Sequence, residues 1–309
     1  MIHNIIPWLV FFSIIFFMLF IDLGVFQKKS HKISIKESLI WTLVWIIISL
    51  LFNAGIYFFL GPEPALNFLT GYLLEKSLSV DNIFVFILIF SYFKVKEEHQ
   101  HRILIWGVLG AIVMRAIFIS AGIVLLHAFH FVIYIFGVIL IITAIKMLVE
   151  KDKEIHPEKN PILNLFKRFF PVTHSDGGGK FFIRQNGKLL ATSLLIVLIT
   201  IETTDLLFAV DSIPAILAIT TDPFIVFTSN IFAILGLRSL YYALAGIMNM
   251  FKYLNYGLSA VLAFIGIKML MTDFYKIPIG IVLAVIATIL LLSIIMSLVI
   301  KDKEETSQT

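Results

Sequence analysis

GYLLEKSLSVDNIFVF at residues 71–86 and IETTDLLFAVDSIPAI at residues 201–216 carry one phrase twice. In each, an acid (Glu75 or Asp205) is followed by two residues, an apolar residue, a small residue, Val-Asp (Asp81 or Asp211), a small polar residue (Asn82 or Ser212) and Ile. Both copies lie inside long apolar runs. Carboxylates are costly in hydrocarbon, so ionisable residues at that depth point to function.

The surrounding composition sets the fold class. Hydrophobic residues make up 60% of the 309 residues and charged residues 14%. A water-soluble domain has nowhere to bury that much apolar surface. The expectation is an all-α membrane protein, because in lipid only helices and closed barrels satisfy every backbone group, and unbroken apolar runs lack the alternation of barrel strands.

Nine runs have the length to cross about 30 Å of hydrocarbon: roughly 4–26, 38–60, 65–92, 103–126, 129–149, 190–218, 223–247, 253–271 and 278–299. The first is too long for a signal-peptide core and lacks a basic leader and a cleavage pattern. Lys28, Lys29, Lys32 and Lys36 follow run 1, and Lys94, Lys96 and Arg102 follow run 3. Lys151, Lys153, Lys159, Lys167, Arg168, Lys180, Arg184 and Lys188 follow run 5, Lys252 follows run 7, and Lys301 and Lys303 follow run 9. All fall on one side if the N-terminus is outside and the C-terminus inside. The net charge of +4 therefore reflects orientation in a bilayer and not nucleic-acid binding. The expected location is the cytoplasmic membrane of a bacterium.

The repeat extends beyond the acids. Run 4 carries Arg115 at the head of RAIFISAG, run 7 carries Arg238 at the head of RSLYYALAG, and runs 5 and 8 end in TAIKML and GIKML. Runs 3–5 and 6–8 enter the membrane from opposite sides, so they form an inverted repeat, a pattern of secondary transporters. A single transmembrane domain is expected over 1–309, with repeats at 65–149 and 190–271 and a connector at 150–189. The connector contains an amphipathic stretch, PILNLFKRFFPV at 161–172, expected along the inner membrane surface. It also contains FFIRQNGKLLA, where Asn186-Gly187 suits a hairpin turn.

At about 100° per residue, Glu75, Ser79 and Asn82 share one helix face and Asp81 points about 120° away. The same holds for Asp205, Ala209 and Ser212 against Asp211. Pro214 removes the amide that would bond the Val210 carbonyl, which predicts a bend or break beside Asp211. The candidate ligands are Glu75, Asp81, Glu202, Asp205, Asp211, Asn82, Ser79 and Ser212. They offer only oxygen, and the chain has no cysteine. Oxygen donors suit Mn²⁺, Ca²⁺ and Mg²⁺, and clustered acids are compatible with proton exchange. In the competing reading the acids only brace the fold, paired with Lys76, Arg115 and Arg238. These three cations are otherwise the groups that balance or gate an empty acidic site. His127 and His130 sit at an outer turn as pH-responsive groups or ordinary interface residues. No HExxH, GxGD or Walker A pattern occurs, so neither catalysis nor ATP-driven pumping is expected.

With these residues in view, the chain resembles the TerC family, including its Alx-type members. The resemblance rests on the two acidic segments, on FFIRQNGKLLAT before run 6 and on IDLGVF at 21–26. It covers nearly the whole chain. It implies a multi-pass membrane protein of metal-ion homeostasis, in a family named for tellurite resistance. Several members resemble Mn²⁺ exporters that need acids matching Glu75, Asp81, Glu202, Asp205 and Asp211. Others resemble membrane assembly or metalation factors without transport of their own. The expectation is Mn²⁺ efflux by alternating access, with an assembly or metalation role as the alternative. Expected partners are lipid and the ion, and homo-oligomers and secretion or assembly partners stay open.

Overall fold

A computed structural model describes residues 2–26, 34–149, 160–173, 177–185, 187–245 and 253–299, with side chains described from residue 5 and outside 20–26. Lys28, Lys29, Lys32, Lys151, Lys153, Lys159, Asn186, Lys252, Lys301 and Lys303 lie outside the side chains described.

The chain is a mostly helical integral membrane protein. Its helices are α1 (Ile2–Phe26), α2 (Ile35–Leu60), α3 (Pro62–Tyr92), α4 (Glu97–Ala128), α5 (Val132–Val149), α6 (Pro161–Phe169), α7 (Ser193–Leu217), α8 (Pro223–Leu235), α9 (Leu237–Leu244), α10 (Leu254–Leu270) and α11 (Ile279–Val299). Starts are marked by local chemistry. Asn160 and Asp222 cap α6 and α8 through their side-chain oxygens, each followed by proline at the first helical position.

Among the described residues, α2, α4, α5, α7 and α11 are long and apolar enough to cross a bilayer, and α8 with α9, bent by 40°, makes a sixth. The other expected runs coincide with helices that fall short for separate reasons. α3 carries Glu75, Lys76 and Asp81 in its middle. α10 is 17 residues long.

The core is built by pairing helices across the two halves. The most extensive contact joins α5 to α10, followed by α3 with α8 and α4 with α7. Exchanging α3, α4 and α5 with α7, α8–α9 and α10 turns the α3–α8 contact into α7–α4 and leaves α5–α10 in place. The α5–α10 seam is antiparallel and close. A Cβ on Gly137 would lie 3.0 Å from the Gly266 carbonyl oxygen, and one on Gly266 2.8 Å from that of Gly137. Two turns along, Ser259 donates to the Ala144 carbonyl at 2.6 Å. Small residues are what allow backbones to approach so closely.

The chain is not broken at Pro214. α7 runs unbroken through Pro214, whose place in the last helical turn limits the loss to one hydrogen bond. The break falls in the next span, at Gly236 between α8 and α9. There the half-buried Lys76 ammonium donates at 3.1 Å to the Ala233 carbonyl, whose usual amide partner the bend takes away. A Cβ on Gly236 would lie 2.8 Å from Lys76 Nζ and 3.1 Å from Trp45 Cβ, so the glycine makes room for the ammonium. A cation at a helix C-terminus also meets the negative end of its dipole.

In the connector, β1 (Phe182–Gln185) pairs antiparallel with β2 (Lys188–Ala191) in the register Phe182↔Ala191 to Gln185↔Lys188. Gly177, Gly178 and Gly179 all have positive φ (59°, 63° and 85°), a region where glycine alone is unstrained. This turn delivers the Gly179 carbonyl to Arg102, which donates at 2.7 Å and lies over the Phe181 ring at 5.3 Å. The hairpin is thereby tied to the start of α4.

Candidate functional site: a buried acid–arginine network

Helix arithmetic carries through to the packing. Glu75, Ser79 and Asn82 are all buried on α3, and Asp205, Ala209 and Ser212 on α7, whereas Asp81 and Asp211 are half-buried on other faces. The two buried faces meet around Arg115 of α4, which is 1% exposed. Its Nη1 donates to Glu75 Oε1, to Asn230 Oδ1 at 2.6 Å and to Ser212 Oγ at 3.3 Å, and Nη2 reaches Asp205 Oδ1 at 3.5 Å. Four helices (α3, α4, α7 and α8) thus converge on one guanidinium. Its planar fork of donors suits a bridge between carboxylates better than a lysine would.

The network holds two carboxylates against one cation. Glu75 Oε2 and Asp205 Oδ2 are buried without a hydrogen-bond partner, as are Arg115 Nε and Asn230 Nδ2. Buried polar atoms are normally satisfied, so such a concentration of exceptions calls for a ligand or a functional reason.

Glu202 sits one turn before Asp205 on α7. Its carboxylate lies against α4 at Gly110, where any Cβ would collide with it. Glu202 Oε2 is also buried without a partner. Asp211 faces α5 and accepts from Thr143 at 2.6 Å. Ser79 spends its hydroxyl on the Glu75 carbonyl of its own helix at 2.8 Å. The expected ligands are therefore spread over separate neighbourhoods, and Glu75, Asp205 and Ser212 are the ones brought together. Among the described residues no three acids or histidines are grouped closely enough to hold a metal ion. The reason is physical: the guanidinium of Arg115 fills the space between Glu75 and Asp205 and supplies the positive charge there.

The three expected cations separate. Arg115 is in the network. Lys76 caps α8 at its break, and Arg238 is buried away from these acids, donating to His101 Nδ1 at 3.2 Å. Arg115 and Arg238, alike in type, therefore sit in different surroundings. Asn230, which meets Arg115, and Thr143, which holds Asp211, were both missed. An asparagine in the apolar run FTSNIFAIL is itself a signal, since a buried amide at membrane depth needs a partner.

These features define a polytopic membrane protein with a charged network at its centre. The chain belongs to the TerC family: the model described as integral membrane protein TerC family matches residues 60–305, from the end of α2 through α11. It is 51% identical to an uncharacterized membrane protein, STKORF319, of Myxococcus xanthus, over 97% of this chain and 94% of the relative. It is 46% identical to the protein of Escherichia coli strain K12 called "Putative membrane-bound redox modulator Alx", over 94% of this chain and 93% of the relative. It is 44% identical to a protein of the same name from Photorhabdus laumondii, over 97% and 96%. No solved structure matches the chain.

Proposed function

We propose that the protein exports a divalent metal ion, Mn²⁺ by preference, across the cytoplasmic membrane by alternating access. The observation that carries this reading is the buried network itself. Acids from α3 and α7 share one arginine, and Glu75, Asp205 and Glu202 each keep a buried carboxylate oxygen without a partner. Such oxygens are the donors a hard divalent cation takes. Arg115 acts as a tethered counter-charge that neutralises Glu75 and Asp205 between ions and withdraws as an ion arrives. Glu202 is the acid on the inner side of the network, and Asp211 with Thr143 lies toward the outer side.

The topology that goes with this reading is nine crossings, N-terminus outside, with runs 3–5 and 6–8 as inverted repeats. The exchange of helix contacts between halves and the antiparallel α5–α10 seam support it. Asn230 then takes the place in the second half that Arg115 takes in the first.

The name of the Alx relatives invites a redox role. Without cysteine, thiol–disulfide exchange is closed to this chain, and a redox influence would act through the ion moved. Under the alternative reading, an assembly or metalation factor, the hairpin face bearing exposed Phe182, Arg184 and Leu189 is where a partner would dock.

Mn²⁺ flux into proteoliposomes of purified protein separates the readings. Flux by the parent that is lost in E202Q and D205N supports export. No flux by the parent, or parental flux in both variants, rejects the export reading or its site, respectively.

A further inference from the structure

The connector helix α6 does not lie across the start of α7 but stands beside it. Asn160, its cap, donates from Nδ2 to Thr203 Oγ1 at 2.6 Å. Thr203 lies ten residues into α7, or about 15 Å at 1.5 Å per residue. At the other end of α6, the Ala191 amide just before α7 donates to the Pro171 carbonyl at 2.9 Å. A nine-residue helix spans about 14 Å, which fits that interval upright. Ile162, Leu165 and Phe169 are exposed for lipid to cover, while Lys167 and Arg168 occupy the last turn, nearest the headgroups.

This places the tip of α6 next to the innermost acid of the network. Thr203 follows Glu202, about 100° around the helix. α4 covers Glu202 at Gly110, and α6 covers Thr203. An ion reaching Glu202 from the inner side would pass beside α6, whose cap is bonded to α7 at the very next residue. Among the described residues the hold on α6 is modest: α7 is the helix it packs against, Leu163 is its fully buried side chain, and the Asn160–Thr203 hydrogen bond fastens its tip. Segments with few buried contacts open most easily.

Resting on the export reading, we propose that α6 is the inner gate. Docked through Asn160 on Thr203, it closes the route between the cytoplasm and Glu202, and it swings away to let the ion reach the acid. The chain has no cysteine of its own, so an N160C/T203C variant can be oxidised without side reactions. Oxidation should cross-link the pair, lower Mn²⁺ flux in proteoliposomes at least tenfold and be reversed by reductant. Flux unchanged by the cross-link, or no cross-link at all, overturns the gate. The single variant L163C, placed at the buried side chain of α6 and keeping the Asn160–Thr203 bond, gives a reading that needs no flux. A water-soluble maleimide applied from the cytoplasmic side should label it several-fold faster in the presence of Mn²⁺. Equal labelling with and without Mn²⁺ overturns the gate. If the parent moves no Mn²⁺, export is rejected, and the labelling decides whether α6 opens.

Discussion

Replacing Arg115 with methionine tests the network at its centre. Methionine roughly keeps the length of the side chain and removes the charge. Glu75 and Asp205 then lose their shared cation, and Ser212 and Asn230 lose their donor. Breaking a buried ion pair from one side costs about 3–5 kcal/mol, because the partner is left charged and unpaired. At about 2–4 °C per kcal/mol, the detergent-solubilised variant should unfold about 6–20 °C below the parent. Adding E75Q should recover more than half of that loss, since replacing both partners of a buried pair is close to neutral. Mn²⁺ supplies the second arm. An ion held at one hundred times its Kd stabilises by about 2.7 kcal/mol, and in R115M it has no guanidinium to displace. The Mn²⁺-induced rise in unfolding temperature should therefore be larger in R115M than in the parent. An R115M protein that unfolds with the parent, or gains no more from Mn²⁺ than the parent does, would refute the tethered counter-charge.

Other perturbations reach different parts of the account. G110A puts a methyl group where the Glu202 carboxylate lies; it should raise the Mn²⁺ concentration for half-maximal flux about tenfold, equivalent to 1.4 kcal/mol, and an unchanged value would detach Glu202 from the route. G236A drives a methyl against Trp45 and the Lys76 ammonium; overpacking of this kind costs about 1–3 kcal/mol, to be read as a lower unfolding temperature. Beyond α10, the Tyr134 hydroxyl in the first turn of α5 and the His130 ring just before it hold the Asp273 carboxyl below the usual carboxylate range. A depressed folded-state value stabilises above the unfolded-state value and is lost as pH falls through the folded one. The unfolding-temperature gap between the parent and D273N should therefore be full near neutrality and close on the acid side of about pH 4, whereas a pH-independent gap would contradict this.

What could be read from the sequence was whatever depends on local periodicity. Spacing alone separates Glu75, Ser79 and Asn82 from Asp81, and the packing buries the first set and leaves Asp81 half-buried. Likewise Ser212 turns to Arg115 while its neighbour Asp211 turns to Thr143. Contacts between distant elements were harder to see. Arg238 resembles Arg115 in type, but the residue that meets Arg115 is Asn230, because position in the helix and not charge decides which side chain reaches the centre. Pro214 pointed to a broken α7. A proline so near a helix end is absorbed there, and the break falls instead at Gly236, where a lysine from another helix stabilises the freed carbonyl. The stretch at 161–172 has the amphipathic pattern of a surface helix. Its upright placement depends on Asn160 finding Thr203 across 43 residues, which no local pattern encodes.

The most direct test is a structure determined with Mn²⁺ bound, using anomalous scattering to locate the ion. The account predicts a peak among the free carboxylate oxygens of Glu75, Asp205 and Glu202, with the Arg115 guanidinium moved out from between Glu75 and Asp205. An ion found away from these acids, or a peak beside them with Arg115 still bridging Glu75 and Asp205, would contradict it.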